Sequence, residues 1–183
     1  MSPTTRRQLL LLGSGATAGA LLSGCSSGPS LADHRGQTPV FDLRRFFDGR
    51  VLAHGIVSER GGKIARRLYA TLDCSWQGER GILDENFLFD DGERQRRVWR
   101  LQRLGEQRYS GRADDVVGEA LGESVGPAFN WRYTLQVPVR GSVYNIDFDD
   151  WMYLIDESTV LNRASMSKFG VQVGEVLISL RKA

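Results

Sequence analysis

The sequence predicts an all-β protein, an antiparallel barrel of about eight to ten strands with a short helical segment at its N-terminal end. Three observations carry this. Turn-forming residues recur about every 8 to 14 positions from Val40 onward, at Arg60-Gly61-Gly62-Lys63, Gln77-Gly78, Asp91-Gly92, Gly105-Glu106, Gly126-Pro127, Arg140-Gly141-Ser142 and Glu157-Ser158. The segments between them alternate apolar and polar residues, the two-residue period of a strand with one wet face. Short connections, with Asp91-Gly92 as the strongest hairpin signal, join neighbouring strands into an antiparallel meander. So many strands leave costly open edges in a flat sheet, and closure removes them.

The elements follow in order. Val40 to Phe47 is the one helical stretch, with Phe41, Leu43, Phe46 and Phe47 apolar, and is placed as a plug for one end of the barrel. In 68–76, Leu68, Ala70, Leu72, Cys74 and Trp76 share one face. In 129–137, Phe129, Trp131, Tyr133, Leu135 and Val137 do the same, and in 171–180 Val176, Ile178 and Leu180 oppose Glu175 and Ser179. Glu85 shares a face with Leu83, Phe87 and Phe89 unless a bulge shifts it outward, and Arg97, in phase with Trp99 and Leu101, is a partner for it.

Composition bounds the function. An apolar content of 41% and a charged content of 25% are ordinary for a globular protein. The formal charge is +2, and Arg6 and Arg7 account for it, so the rest is balanced. Nucleic acid is not an expected partner, because such binding needs a basic surface. There are two cysteines, Cys25 and Cys74.

The N-terminus reads as an address. Arg6 and Arg7 form a positive region, Leu9 to Leu22 an apolar one too short for a comfortable membrane span, and Leu22-Ser23-Gly24-Cys25 a lipoprotein cleavage motif. Residues 1–24 are therefore expected to be a signal peptide, with lipid on Cys25 as a membrane anchor. Thr5-Arg6-Arg7-Gln8-Leu9-Leu10 fits twin-arginine export or an ordinary positive region equally. Ser26, where an Asp would favour inner-membrane retention, points to the outer membrane facing the periplasm. Residues 25–39 are expected to be a lipidated flexible tether, and 40–183 a single barrel domain.

Longer strings then become informative: Asp90-Asp91-Gly92-Glu93 with Arg97-Val98-Trp99; Tyr109-Ser110-Gly111-Arg112-Ala113-Asp114-Asp115-Val116-Val117-Gly118-Glu119-Ala120; Asp149-Asp150-Trp151-Met152-Tyr153-Leu154; and Asn162 to Gly170 leading to Gly174-Glu175-Val176. From about Phe41 to the end, the chain resembles the bacterial lipoprotein family catalogued as domain of unknown function 3833 (DUF3833). That resemblance implies a lipocalin-like, calycin-type β-barrel, no established activity, and an association with lipid metabolism. Phe41 to Gly49 also resembles the entry segment of lipocalins, although Arg50-Val51 stands where Gly-x-Trp usually follows.

Several constellations are candidates, each beside a plainer reading. The acidic group Asp114, Asp115, Glu119, Asp149 and Asp150 offers acid–base pairs, or strand-end residues that accept backbone hydrogen bonds; in a strand only one of two neighbours points inward. Asn162, Arg163 and Lys168 are placed to grip an anionic head group, or to pair with those acids. Trp99, Trp131, Tyr133 and Trp151 are placed to line a pocket, or to fill a core. Arg66, Arg67, Arg94, Arg96 and Arg100 form a patch for anionic lipid or a solvated hairpin face. No catalytic residue set, metal site or cofactor motif is found in the sequence.

The leading expectation is a binding module holding a fatty acid, lipid or other apolar molecule in the barrel. The alternatives are an enzyme working on a lipid-derived substrate through acidic residues, and a scaffold that docks another envelope protein. A solid barrel favours the scaffold, a cavity favours the first two, and a carboxyl of raised pKa inside it favours catalysis.

Overall fold

A computed structural model describes residues 28–183. The signal-peptide reading, the cleavage motif and Cys25 lie outside the described residues. Ten strands follow one short helix, α1 (Leu43–Phe46). They are β1 (Gly49–Glu59), β2 (Ile64–Gln77), β3 (Arg80–Phe89), β4 (Arg94–Arg103), β5 (Arg108–Arg112), β6 (Ala120–Val125), β7 (Ala128–Val139), β8 (Ser142–Asp156), β9 (Thr159–Lys168) and β10 (Val171–Lys182). Each pairs antiparallel with its sequence neighbour, and β10 returns to β1, so the sheet closes as an up-and-down barrel. Every turn expected from the sequence joins two strands here. Glycines take the left-handed backbone at several, including Gly92 at φ 87° after Asp91, the hairpin read from Asp91-Gly92.

The inward faces are those the alternation assigns. Leu68, Ala70, Leu72 and Cys74 of β2 are buried, and so are Phe129, Trp131 and Leu135 of β7. No bulge interrupts the pairing of β3 with β2 or β4, so Glu85 keeps its inward phase.

One end is stoppered. Asp42 caps α1, its carboxylate accepting from the Arg45 N–H at 3.2 Å. The helix is a single turn, shorter than the stretch expected, yet Phe41, Leu43, Phe46 and Phe47 are all buried. Burying each Phe contributes about 1.5–3 kcal/mol. Trp76 Nε1 donates to the Phe47 carbonyl at 2.7 Å, and Lys182 Nζ donates to the Arg45, Phe46 and Asp48 carbonyls, holding the last carbonyls of the plug to β10.

Residues 30–39 differ from the flexible tether expected. Ser30 and Asp33 form a capping box around a 3₁₀ turn, Leu31–His34, which packs on β6 and β7. The Phe41 N–H bonds the Gly126 carbonyl at 2.8 Å, and the His34 ring meets Tyr153 at 5.7 Å. Local capping together with these contacts docks the segment against the plugged end. Between β5 and β6, residues 113–119 form a loop. It runs beside β7, with Val117 N–H bonding the Thr134 carbonyl and Gln136 N–H bonding the Asp115 carbonyl. The loop completes the wall where β5 and β6 are short. Among the described residues no helix is long and apolar enough to cross a membrane.

Candidate ligand-binding cavity

Above the plug the barrel is hollow. A cavity of about 700 Å³ runs from Leu43 and Phe47 at its floor to the rim formed by Glu59, Arg66, Glu93, Pro138, Val139 and Val173. That size is in the range of small-molecule sites. Its lower wall is apolar, with Leu72, Leu83, Leu101, Phe129, Trp131 and Leu180. Glycines make room for the aromatic rings. A Cβ on Gly122 would meet Trp131 Cε3 at 2.2 Å and Phe129 Cζ at 2.4 Å, and one on Gly111 would meet Trp131 Cζ2 at 2.8 Å. Trp131 therefore lies against bare backbone. Trp99 packs edge-on to Trp131 at 5.7 Å and to Tyr133 at 5.3 Å, and Tyr133 stacks on Phe148 at 5.1 Å.

A polar belt crosses the cavity. Arg97 of β4 donates from Nε to both oxygens of Asp115, at 3.1 and 2.9 Å, with Nη2 at 2.8 Å from Oδ2. This ion pair ties the 113–119 loop to β4. Glu85 of β3 lies 3.8 Å from Arg97 Nη1, beyond hydrogen-bond length. On the far wall Asp150 of β8 accepts from the Tyr133 hydroxyl at 3.2 Å and from Asn162 Nδ2 of β9. Burial pushes Glu85 up to about 7, with Arg97 opposing and Asp150 and Asp115 reinforcing. Burial likewise pushes Asp150 up to about 6, with the Asn162 and Tyr133 bonds opposing. Burial also raises Tyr133 well above the ordinary phenol range, so it stays neutral and donates. The lining holds five carboxyl groups (Glu59, Glu85, Glu93, Asp115, Asp150) and two guanidinium groups (Arg66, Arg97).

These shifts set a pH dependence. Both carboxyls have folded-state values above their unfolded ones, so the stability they contribute is full below about 4 and is lost as pH rises through 6 to 7. Asp84, Asp90 and Asp91 are held below the usual carboxylate range, by hydrogen bonds from Arg96, from Arg67 and from the Glu93 N–H respectively, and act in the opposite sense on further acidification. Unfolding free energy should therefore fall by roughly 2–4 kcal/mol between pH 5 and pH 8. Denaturant titrations at the two pH values check this, and the slope should flatten in Glu85→Gln.

Comparison with known proteins places this barrel in a family. A model described as a protein of unknown function, DUF3833, matches residues 19–182. The chain belongs to the DUF3833 family. Among curated proteins none matches its sequence. Among solved structures the DUF3833 barrel is similar to an S-type phycobiliprotein lyase from Guillardia theta, at 7% identity and a TM-score of 0.56, over 78% of this chain and 93% of that one. At that identity the likeness concerns the fold, a lipocalin-like barrel.

Several residues singled out in the sequence meet in the cavity of this DUF3833 protein, and others do not. Trp99, Trp131, Tyr133, Asn162, Asp115 and Asp150 line it. Arg163 does not: Leu161 and Arg163 point outward on β9, and Arg163 pairs with Glu175 at 2.6 Å on the outer face. Lys168 ends β9 with its ammonium 3.7 Å over the Tyr144 ring and is not part of the lining. Trp151 is buried on the outer side, stacked on Tyr153 at 6.2 Å, because its neighbour Asp150 takes the inward position. The acidic group is divided by the same parity. Asp114 pairs with Arg100, Glu119 with Arg112 and Asp149 with Arg132, all on the outside. Four arginines of the patch are paired, Arg66 with Asp91 and Glu93, Arg67 with Asp90, Arg96 with Asp84 and Arg100 with Asp114. The Glu85–Arg97 approach was legible from phase; the Arg97–Asp115 bond was not, because the loop carries no periodicity.

Cys74 is free and buried, and burial pushes its thiol up to about 12. Its labelling by a thiol-disulfide reagent at pH 8 should be slower than that of a free thiol by a factor of about 100 or more, and unfolding in denaturant should abolish the difference. Among the described residues no group of His, Cys, Asp and Glu is arranged to hold a metal ion.

Proposed function

We propose that this protein is an envelope-anchored carrier that binds an apolar small molecule inside its barrel. The observation that carries the reading is the cavity itself: about 700 Å³, floored by the helical plug, open at the opposite end and walled mainly by aromatic and aliphatic side chains. A barrel serving as a docking scaffold has no need of such a space and is more stable filled. The similarity to a protein named as a phycobiliprotein lyase supports a small-molecule role without naming the ligand.

The anchor belongs to the same proposal. Arg6-Arg7, the apolar stretch and Leu22-Ser23-Gly24-Cys25 support cleavage after Gly24, acylation of Cys25 and residence at the periplasmic face of the outer membrane. With Cys25 acylated, the five residues to Ser30 reach at most about 18 Å. The docked segment then keeps the plugged end towards the bilayer and the mouth away from it. Cells expressing the full chain with a radiolabelled fatty acid should label it, and Cys25→Ala should not be labelled.

Binding is tested with the mature domain lacking Cys25. Native mass spectrometry after extraction from cells should find a co-purifying apolar molecule, and the neutral dye N-phenyl-1-naphthylamine should fluoresce on binding. Ala164→Phe, which places a ring in the cavity, should displace both. An empty protein that ignores the dye would leave the scaffold reading in its place. One observation favours a second reading, catalysis: Glu85 and Asp150 are carboxyls raised to about 7 and about 6 inside the cavity, values suited to passing a proton near neutrality. Chemical change in the extracted ligand on incubation, lost in Asp150→Asn, would distinguish an enzyme from a carrier.

A further inference from the structure

We infer that the molecule held in the barrel carries a positively charged nitrogen on an apolar body, bound with that nitrogen towards Glu85 and Asp150, and that anionic amphiphiles such as free fatty acids are poor ligands. This rests on the proposal that the cavity is a binding site, and adds the chemistry of what it takes.

Charge in the lining is the first ground. Its carboxyl groups outnumber its guanidinium groups five to two, in a chain whose formal charge is only +2. Both guanidinium groups already have carboxylate counter-ions, although Arg66 Nε itself has no hydrogen-bond partner among the described residues. Arg66 holds Asp91 and Glu93 at 3.0 and 2.9 Å, and Arg97 holds Asp115 at 2.8 Å. No unpaired cation lines the cavity among the described residues, so an incoming carboxylate or phosphate would be stripped of water beside like charges. Arg163 and Lys168, which the sequence offered for an anionic head, point elsewhere.

Glu85 is the second ground. It sits in the barrel wall with its side chain 13% exposed, and among the described residues Arg97 at 3.8 Å is its one ion-pair partner. Among the described residues no donor closes a hydrogen bond of good geometry on it, and the Trp99 indole is the smallest of the influences on its charge. A buried carboxyl left this way is costly unless it is protonated or paired by a ligand. An ammonium group supplies the missing donors and charge. The rings of Trp99 and Tyr133 beside it add the aromatic faces that cations favour. At the rim, Glu59 lines the mouth, and the Arg66 group there carries two carboxylates, Asp91 and Glu93, against one guanidinium, so the mouth favours cations.

The pH dependence follows. The ionisable groups around this point are Glu85 on β3, Arg97 on β4, Asp115 on the loop, Tyr133 on β7, Asp150 on β8 and Cys74 on β2. Of these, Glu85 and Asp150 change charge between pH 5 and pH 8. A cation therefore binds more tightly at pH 8, where both are ionised, than at pH 5.5, where they hold protons.

The test uses three ligands of one chain length, dodecylamine, dodecanol and dodecanoate, displacing N-phenyl-1-naphthylamine from the mature domain at low salt below their micelle concentrations. At pH 8 dodecylamine should bind at least tenfold more tightly than dodecanoate and several-fold more tightly than dodecanol. The preference should shrink at pH 5.5. Glu85→Gln should reduce it about tenfold, and Asp150→Asn provides a second variant if Glu85→Gln does not fold. Dodecanoate binding as tightly as dodecylamine at pH 8, dodecanol matching the amine, or a preference unchanged in both variants would overturn the inference while the cavity reading stands. Failure of the dye and all three ligands would remove the cavity reading, and this inference with it.

Discussion

Arg97→Met should lower the unfolding free energy by about 3–5 kcal/mol at pH 8 and by clearly less at pH 5. The magnitude is that of removing one partner from a largely buried, hydrogen-bonded ion pair. Arg97 is 14% exposed and holds Asp115 through both carboxylate oxygens, and it is also the ion-pair partner of Glu85. Without it, the part-buried carboxylates of Glu85 and Asp115 face each other with Asp150 across the cavity. The pH sign comes from Glu85, whose value is about 7 in the folded protein. At pH 8 it is charged and loses the counter-ion that Arg97 provides. At pH 5 it is protonated with or without Arg97, so only the Asp115 bond is lost. For a domain of this size the pH 8 effect corresponds to a fall in Tm of about 6–20 °C. Denaturant titrations of both proteins at both pH values check it. Adding Glu85→Gln to the variant should recover part of the loss at pH 8. Equal costs at the two pH values would mean that Glu85 does not titrate in this range.

Gly122→Val should cost about 3 kcal/mol or more and remove dye binding without changing the charge of the belt. The two positions are directly paired on β6 and β7, and the Trp131 ring lies over the Gly122 backbone. A Cβ there would come within 2.2 Å of Trp131 and 2.4 Å of Phe129. Both rings are packed by others, Phe129 stacking on Trp131 at 5.5 Å and meeting Phe41 of the plug at 6.1 Å, so neither can yield into free space on that side. The remaining direction is the cavity. Pushing Trp131 inward strains the aromatic set and fills the binding space at once. Thermal melting, with the dye titration beside it, reads both effects. Gly105→Val, at a turn where an added Cβ meets nothing within 4 Å, is the control. A Gly122→Val protein that melts normally and still takes the dye would show that the Trp131 ring has another resting place.

Much of the barrel was legible because a strand's two-residue period is also its inside–outside code. Trp131 and Tyr133, Glu85 and Arg97 were assigned inward by phase alone, and the structure keeps that phase. Trp151 shows where chemistry misleads. Its aromatic character suggested the pocket, but Asp150 and Met152 occupy the inward phase, and a carboxylate enters while an indole is left on the outer wall. Arg163 is the same case one strand on, out of phase with Asn162 and Ala164. Asp115 was unreadable in a different way. It lies in a loop, and its bond to Arg97 joins residues whose proximity depends on how β4 and β7 are spaced around the barrel.

Local pattern by itself determined the strand count within its range, the turns, the plug and the facing of most side chains, since these depend on backbone geometry repeated along a few neighbouring residues. Only the tertiary structure decided that the barrel is hollow, that three carboxyl groups and one arginine converge across it, and that the arginine and lysine expected to grip an acid lie outside. Such facts are sums over strands distant in the chain: an empty volume is what closure leaves unfilled, and a buried charge acquires its value from every group that surrounds it.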